Sequence, residues 1–164
     1  MNRSHLIAGI VGGLVAGLVF GALMSMMSAP TPDGKSMPLM AMIGMVVRSP
    51  TVIGGWLYHL FNSALIGAIF AALLGGRVTG YSAGLLWGAV YGVAWWVLGG
   101  LILMPVLLGM PAFAPLTVMT GVAMGSLVGH LIYGLILGAA FVWLAERQAG
   151  AAVSSTRSAA HATR

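Results

Sequence analysis

Two histidines inside apolar stretches are the residues of this chain best placed to do chemistry. His59 and His130 lie 71 residues apart, and each is followed by a leucine. On a helix, positions four residues apart share a face, and the faces through both histidines carry mainly glycine, alanine and serine. Faces of small residues are typical of helix packing in membranes. We therefore expect both imidazoles to point into a helix bundle at the same depth.

Three uses of such a histidine pair fit the sequence. The first is structural, with each imidazole hydrogen-bonding a carbonyl or hydroxyl group across the bundle, and Asn62, Ser63 and Tyr133 are the nearest polar side chains. The second is ligation of one haem iron by both histidines, and the third is a copper site, since neutral imidazole ligates either metal. The structural use needs the fewest assumptions, so the expected cofactor is none, with haem or copper as alternatives.

Methionine is the second unusual feature, with twelve residues including Met1. Apart from Met1, the methionines lie near one end of the predicted spans or in the connections at that end. Thioether sulfur is a soft ligand that suits Cu(I). Methionine also fills gaps around irregular segments rich in proline and glycine, and this second explanation is the preferred one. The candidate copper ligands are His59, His130, Met24, Met27, Met40 and Met42.

The sequence carries no signature of an enzyme. Asp33 and Glu146 are its only acidic residues, and both lie outside the apolar stretches, so no carboxylate pair exists for acid–base catalysis. Ser63 lies four residues from His59, but no carboxylate is available to orient that histidine. There is no cysteine, which excludes disulfides and cysteine-based metal sites. We expect no catalytic residue.

The composition is that of a membrane protein. Hydrophobic residues make up 60% of the chain and charged residues 5%, whereas soluble domains carry about 25% charged residues. A single membrane domain is expected over 1–147, followed by a disordered tail over 148–164. The first three predicted spans are Leu6–Met27, Thr51–Leu74 and a third that begins at Gly80 or Tyr81 and reaches Met104, where Pro105 ends it; Thr117–Ala145 contains the fourth.

The connections at one end of these spans are also informative. Ala29–Lys35 is rich in turn-forming residues and is expected to be a solvated loop. Met37–Val47 is apolar but too short to cross a bilayer, which favours an interfacial or re-entrant segment. Leu107–Leu116 is the corresponding uncharged, proline-broken connector in the second half of the chain.

Glycines at every fourth position form two ladders, which predict close helix packing. Each residue of the second ladder follows its counterpart in the first by 71 residues, and the same offset relates His59 to His130. A constant offset indicates internal duplication, with repeats at about 5–75 and 76–146. The expected fold is an all-α polytopic membrane protein of two tandem helical hairpins, related by a pseudo-two-fold axis along the membrane normal. The ladders are Gly9, Gly13, Gly17 and Gly21, then Gly80, Gly84, Gly88 and Gly92.

The layout resembles small bacterial integral membrane proteins with four glycine-rich spans. The resemblance covers Leu6 to Ala145, and it is carried by the glycine ladders and by one His-Leu pair in each repeat. It implies a four-span membrane fold in a bacterial inner membrane, and it brings no activity and no catalytic residue.

Basic residues predict the orientation. Five arginines lie at the termini or in the connection between the second and third spans, whereas Lys35 and Arg48 lie on the opposite side. This excess predicts an inner-membrane protein with both termini in the cytoplasm. The same scatter of charges argues against nucleic acid as a partner.

The function expected from the sequence is that of an accessory or scaffold membrane protein. Its expected surroundings are the lipid bilayer and either further copies of itself or another membrane protein. The alternatives are a Met/His copper site or a bis-histidine haem site, and a small permeation path for a neutral solute. The lack of charged residues inside the spans argues against an ion-coupled pump.

Overall fold

A computed structural model describes residues 3–31 and 33–162, with the backbone alone described at 149 and 152–162. The elements in chain order are α1 (Arg3–Ser25), β1 (Ser28–Pro30), β2 (Ser36–Pro38), α2 (Leu39–Met45), α3 (Val52–Leu74), α4 (Tyr81–Trp95), a π-helix (Trp96–Leu103), α5 (Met104–Leu107), α6 (Pro115–Val118) and α7 (Thr120–Ala162).

Within the described residues, four helices are long and apolar enough to cross a membrane. They contain 23, 23, 27 and 29 residues, and at about 1.5 Å per residue each can cover a bilayer core of about 30 Å. The predicted helical class and number of spans are thereby confirmed. The stretches are Arg3–Ser25, Val52–Leu74, Tyr81–Leu107 (called the third span below) and Thr120–Gln148.

The four long helices pack in the order α3, α1, α7, α4. Close contacts join α1 to α3, α1 to α7 and α4 to α7, but α3 and α4 are not closely packed. Their short connection predicts antiparallel packing of these two helices. Instead they are joined by Tyr91, whose hydroxyl donates to the carbonyl of Ile66 at 2.7 Å and whose ring contacts Phe70. The α3–α4 side of the bundle is consequently its open side.

Glycines bring the packed helices together at backbone distance. Cβ atoms added at Gly9 or Gly13 would overlap the backbone of α3, and one added at Gly88 would overlap the Gly134 carbonyl of α7. Gly80 differs, because it precedes α4 and an added Cβ would meet nothing within 4 Å. Seven ladder glycines thus lie at helix contacts, whereas Gly80 lies outside the helix.

The third span continues past the proline that was predicted to end it. Pro105 has no N–H group for the carbonyl of Leu101, four residues earlier. The backbone N–H of Phe113 donates to this carbonyl instead, at 2.6 Å. The connector after Leu107 therefore folds back onto the π-helix, and α5 extends the span to Leu107.

The first long connection forms a two-stranded antiparallel ribbon followed by a short buried helix. Ser28 pairs with Pro38 and Pro30 with Ser36, so the predicted loop Ala29–Lys35 begins within β1, and its residues 31 and 33–35 lie in the turn between the two strands. All residues from Leu39 to Gly44 are buried. Gly55 of α3 permits this burial, because a Cβ atom there would overlap the carbonyl of Met40. α2 therefore lies within the protein and not on its surface.

The last helix extends beyond the length that a membrane needs. Within the described residues α7 continues as a helix to Ala162, across most of the segment from Gln148 for which the sequence predicts a disordered tail. The segment is rich in alanine, which has the highest helix propensity of all residues, and this accounts for the continuation.

Candidate functional site

A cavity of about 350 Å³ occupies the open side of the bundle, between α3 and the third span. α1 and α7 also contribute to its wall, and α2 and the connector before α7 lie at one end of it. Both predicted histidines line this cavity. Its volume lies in the range of about 300–1,000 Å³ that is typical of small-molecule sites.

His59 is held across the bundle by α1. Its Nε2 lies 2.9 Å from the carbonyl oxygen of Gly17, and only 9% of the residue is exposed. The ladder makes this contact possible, since a Cβ atom at Gly21 would lie 3.1 Å from the imidazole and closer still to the ring of Trp56. Gly17 and Gly21 thus provide the space in which this imidazole lies.

His130 bonds within its own helix. Its Nδ1 lies 2.8 Å from the carbonyl oxygen of Ser126 and 3.2 Å from the hydroxyl of the same serine. Phe20 of α1 contacts both imidazoles edge-on, with ring centroids 5.5 Å from His59 and 4.8 Å from His130. The two histidines therefore meet around one phenylalanine.

The carbonyl contacts determine which ring nitrogen carries the proton. A carbonyl oxygen only accepts, so Nε2 of His59 and Nδ1 of His130 are the donors. We take both rings as neutral because a buried charge needs a partner and the two acidic side chains that the sequence contains are exposed. Each ring then has one lone pair, at Nδ1 of His59 and at Nε2 of His130.

Neither lone pair has a hydrogen-bond partner among the described residues. Neither nitrogen is sealed inside the protein, since every fully buried side-chain nitrogen or oxygen in the described part of the chain has a partner. Because both residues line the cavity, we conclude that two imidazole lone pairs are accessible from it.

Two hydroxyl groups near His59 donate to backbone carbonyls of α3. Ser63 donates to the carbonyl of His59 at 2.7 Å, and Tyr133 donates to the carbonyl of Ser63 at 2.8 Å. Ser63 and Tyr133 were expected to bond the imidazoles, but they bond the backbone of α3. Asn62 also lines the cavity, and its amide has no hydrogen bond within the described region.

The predicted metal candidates separate into two groups. Met24 and Met42 line the cavity together with both histidines. Met40 is fully buried, and Met27 extends over Gly125 of α7, so neither lines the cavity. Three methionines that were not among the candidates also line it: Met104, Met110 and Met119.

The donor set suits copper better than haem. Each imidazole donates one N–H to a backbone carbonyl and keeps the other nitrogen free, as metal-binding histidines generally do, and the methionine sulfurs match Cu(I). Haem fits poorly, because Nδ1 of His59 is bonded to Cγ, the ring carbon that carries Cβ, so the side chain would crowd a planar macrocycle. No group of three or more histidine or acidic side chains converges in the described residues.

Phe20, Trp96 and Gly100 are cavity residues that the sequence reasoning did not identify. Trp96 donates its indole N–H to the carbonyl of Ala123 at 3.0 Å, which fixes the start of the π-helix against α7. A Cβ atom at Gly100 would be in ordinary contact with His130 and Ser126. The glycine pair 99–100 was a signal in the sequence, since Gly100 lies eight residues after Gly92 and so keeps the four-residue register of the second ladder.

Comparison with known proteins found no matching family model, curated protein or solved structure.

Proposed function

We propose that this chain is a non-enzymatic accessory protein of the bacterial inner membrane that binds a small lipid-soluble molecule. The cavity between α3 and the third span carries the proposal, because it combines a largely apolar wall with two accessible imidazole nitrogens. A few convergent polar groups in an apolar cavity are the usual features of a ligand site. No charged side chain lines the cavity, which favours a neutral ligand.

Further support comes from the π-helix. Residues of Trp96–Leu103 line the cavity where α3 and the third span are apart. A π-helix is rare and is found disproportionately at functional sites. An unusual backbone conformation thus forms part of the wall of this cavity.

We also propose that the fold arose by duplication, with α1 and α3 forming one hairpin and α4 and α7 the other. The support is that both pairs meet through ladder glycines. The contacts between α4 and α7 are shifted by one helical turn relative to those between α1 and α3. Gly84 contacts Gly138 and Val142, and in the sequence these two are the counterparts of the residues that Gly9 contacts. The counterpart of Gly9 in the sequence is Gly80, which is outside α4.

Photolabelling of the purified protein in lipid nanodiscs tests the ligand proposal. We expect a small apolar diazirine probe to label the residues lining the cavity above the level of lipid-facing leucines. Gly100→Leu should reduce this labelling, because the added side chain lies beside His130 in the cavity. Gly121→Leu is the matched control, since an added Cβ there meets nothing within 4 Å and lies outside the cavity. Uniform labelling of the lipid-facing surface would overturn the proposal.

A copper(I) site in the same cavity is a second candidate. The specific observation is that Met24, Met42 and three further methionines share the cavity with both histidines. We expect Cu(I) competition with a chromophoric chelator to show metal binding that Met24→Leu weakens. Met26→Leu is the control, because Met26 is 85% exposed and lies outside the cavity. Equal affinity of both variants, or no binding by the native protein, would reject this candidate.

A further inference from the structure

We infer that the molecule in the cavity carries an alcohol or phenol group and enters from the bilayer between α3 and the third span. This inference rests on the proposed function and specifies the class of its ligand. It depends on the unpaired polar atoms of the cavity wall and on the position of the exposed leucines at its edge.

The unpaired ring nitrogens in the cavity wall are hydrogen-bond acceptors, so a ligand that pairs with them must carry a hydrogen-bond donor. The free nitrogens, Nδ1 of His59 and Nε2 of His130, accept and do not donate, since the proton of each ring is held by a backbone carbonyl. Neither carbonyl has a proton to exchange, so the tautomers cannot be reversed by the protein. A ligand with an O–H group satisfies such an acceptor, whereas an ether or a hydrocarbon leaves it unpaired.

Asn62 adds further hydrogen-bonding groups to the cavity wall, and the ligand class that they favour is still a hydroxyl compound. Its amide supplies both donors and an acceptor, and within the described residues it has no hydrogen-bond partner. The hydroxyl oxygen of a ligand can therefore accept from Asn62 while its proton is donated to an imidazole. Discrimination against an ether remains, because the ether has no proton to donate.

The edge of the cavity indicates the direction of entry. Three lining leucines, Leu65 of α3 and Leu103 and Leu107 of the third span, are 48%, 44% and 57% exposed. They lie where α3 and the third span fail to pack together. In a bilayer, exposed leucines face hydrocarbon. An apolar tail on the ligand would be accommodated there.

The end of the cavity near the chain connections is covered. Leu39, Met42 and Ile43 of the buried helix α2 line it on one side, and Pro115 of the second connector is also buried. Access from water at that end is therefore blocked by protein. Entry is therefore assigned to the edge lined by the exposed leucines, which a molecule dissolved in the bilayer would meet first.

Competition against the diazirine probe tests the inference with two ligands of one shape. The native protein in nanodiscs is labelled in the presence of para-heptylphenol or para-heptylanisole, which differ in one O–H donor. We expect the phenol to compete about tenfold better than the anisole, as the loss of one buried hydrogen bond implies.

Histidine variants identify the acceptor. The variant that removes the histidine accepting the phenol O–H, His130→Leu or His59→Leu, should reduce the preference for the phenol to about twofold or less, because that acceptor is lost. His5→Leu is the control, since His5 contacts Phe141 and does not line the cavity. His130→Leu leaves the Ser126 carbonyl paired, because this carbonyl also accepts the backbone N–H of residue 130 in α7. A folding defect is therefore not expected.

The outcomes separate this inference from the proposed function. Equal competition by both compounds, together with cavity labelling that Gly100→Leu reduces, would overturn the O–H requirement and leave the ligand site standing. A preference for the phenol that persists in His130→Leu and also in His59→Leu would overturn the assignment of the acceptors. Absence of cavity labelling would overturn both proposals.

Discussion

At the scale of single residues, the two histidines combine a structural contact with a free functional atom. Each imidazole donates to a carbonyl that already accepts a backbone N–H within its helix. Loss of either imidazole therefore orphans no backbone group. Such a contact orients the ring more than it stabilises the fold, and the orientation leaves one nitrogen accessible from the cavity.

The two histidines should be coupled energetically through Phe20. His59→Ala and His130→Ala should each lower the free energy of unfolding by about 0.6–2 kcal/mol. The sequence alone predicts that independent costs add. Because the ring of Phe20 contacts both imidazoles, we expect the double variant to differ from the sum by about 0.5 kcal/mol or more. Unfolding in mixed detergent micelles measures all three variants.

A control for this cycle is available in the same side-chain cluster. In a Phe20→Leu background the coupling should fall towards zero, because the shared ring is absent. Strict additivity in the native background would contradict a role for Phe20 and would favour two independent helix contacts.

At the scale of elements, glycine spacing decides which helices approach closely. The ladder of α1 faces α3, whereas Gly12, one position away from the ladder, faces α7, because a Cβ atom added there would lie 3.4 Å from side-chain atoms of Leu137 and Ala140. α1 therefore packs on two sides and forms the centre of the bundle together with α7. The sequence identified the ladder faces but not this second face, because Gly12 belongs to no four-residue repeat.

Gly88→Ala and Gly80→Ala make a matched pair within one ladder. At Gly88 the added methyl group would overlap the Gly134 carbonyl, so α4 and α7 must move apart. We expect a loss of about 1–3 kcal/mol in the free energy of unfolding. At Gly80 the methyl group meets nothing within 4 Å and the backbone is extended, with φ of 164°. The change there should stay within about 0.5 kcal/mol. Equal effects at both positions would show that the ladder is not a packing face.

Tyr91 should limit the separation of α3 and α4. Tyr91→Phe removes the 2.7 Å hydrogen bond to the Ile66 carbonyl and retains the ring contact with Phe70. We expect a loss of about 0.5–1.5 kcal/mol in the free energy of unfolding. The distance between spin labels on the two helices should increase or broaden in a pulsed electron resonance measurement. Tyr81→Phe, at an exposed position that begins α4, is the control. An unchanged distance distribution would show that other contacts hold the helices.

At the scale of the whole molecule, the sequence predicted the spans but not the cavity. Hydropathy and four-residue spacing are local properties of the chain, so the number of spanning helices and the ladder faces could be read from them. The cavity depends on how distant segments meet. α1 packs on α7, but α3 and α4, which a complete two-fold symmetry would pair in the same way, stay apart. No local pattern encodes that difference.

The candidate site was predictable to a similar extent. The offset of 71 residues identified His59 and His130, and the structure places both at one cavity. Their partners were not predictable, because Gly17 and Ser126 act through backbone carbonyls, which every residue has. Met27 and Met40 resembled the cavity methionines in the sequence. Only the fold separates them, since α2 buries Met40 and α7 covers Met27.

The orientation of the molecule in its membrane follows from charge and can be tested directly. Arg3, Arg77 and three arginines at or beyond residue 147 lie on one side of a four-span arrangement, and Lys35 and Arg48 lie on the other. Basic residues are retained in the cytoplasm during insertion, so both termini should be cytoplasmic. A reporter enzyme that is active only in the periplasm should be silent when fused after Arg164. The same reporter placed in the exposed turn at Gly34, between β1 and β2, should be active. The opposite pattern would place the covered end of the cavity, α2 included, on the cytoplasmic side.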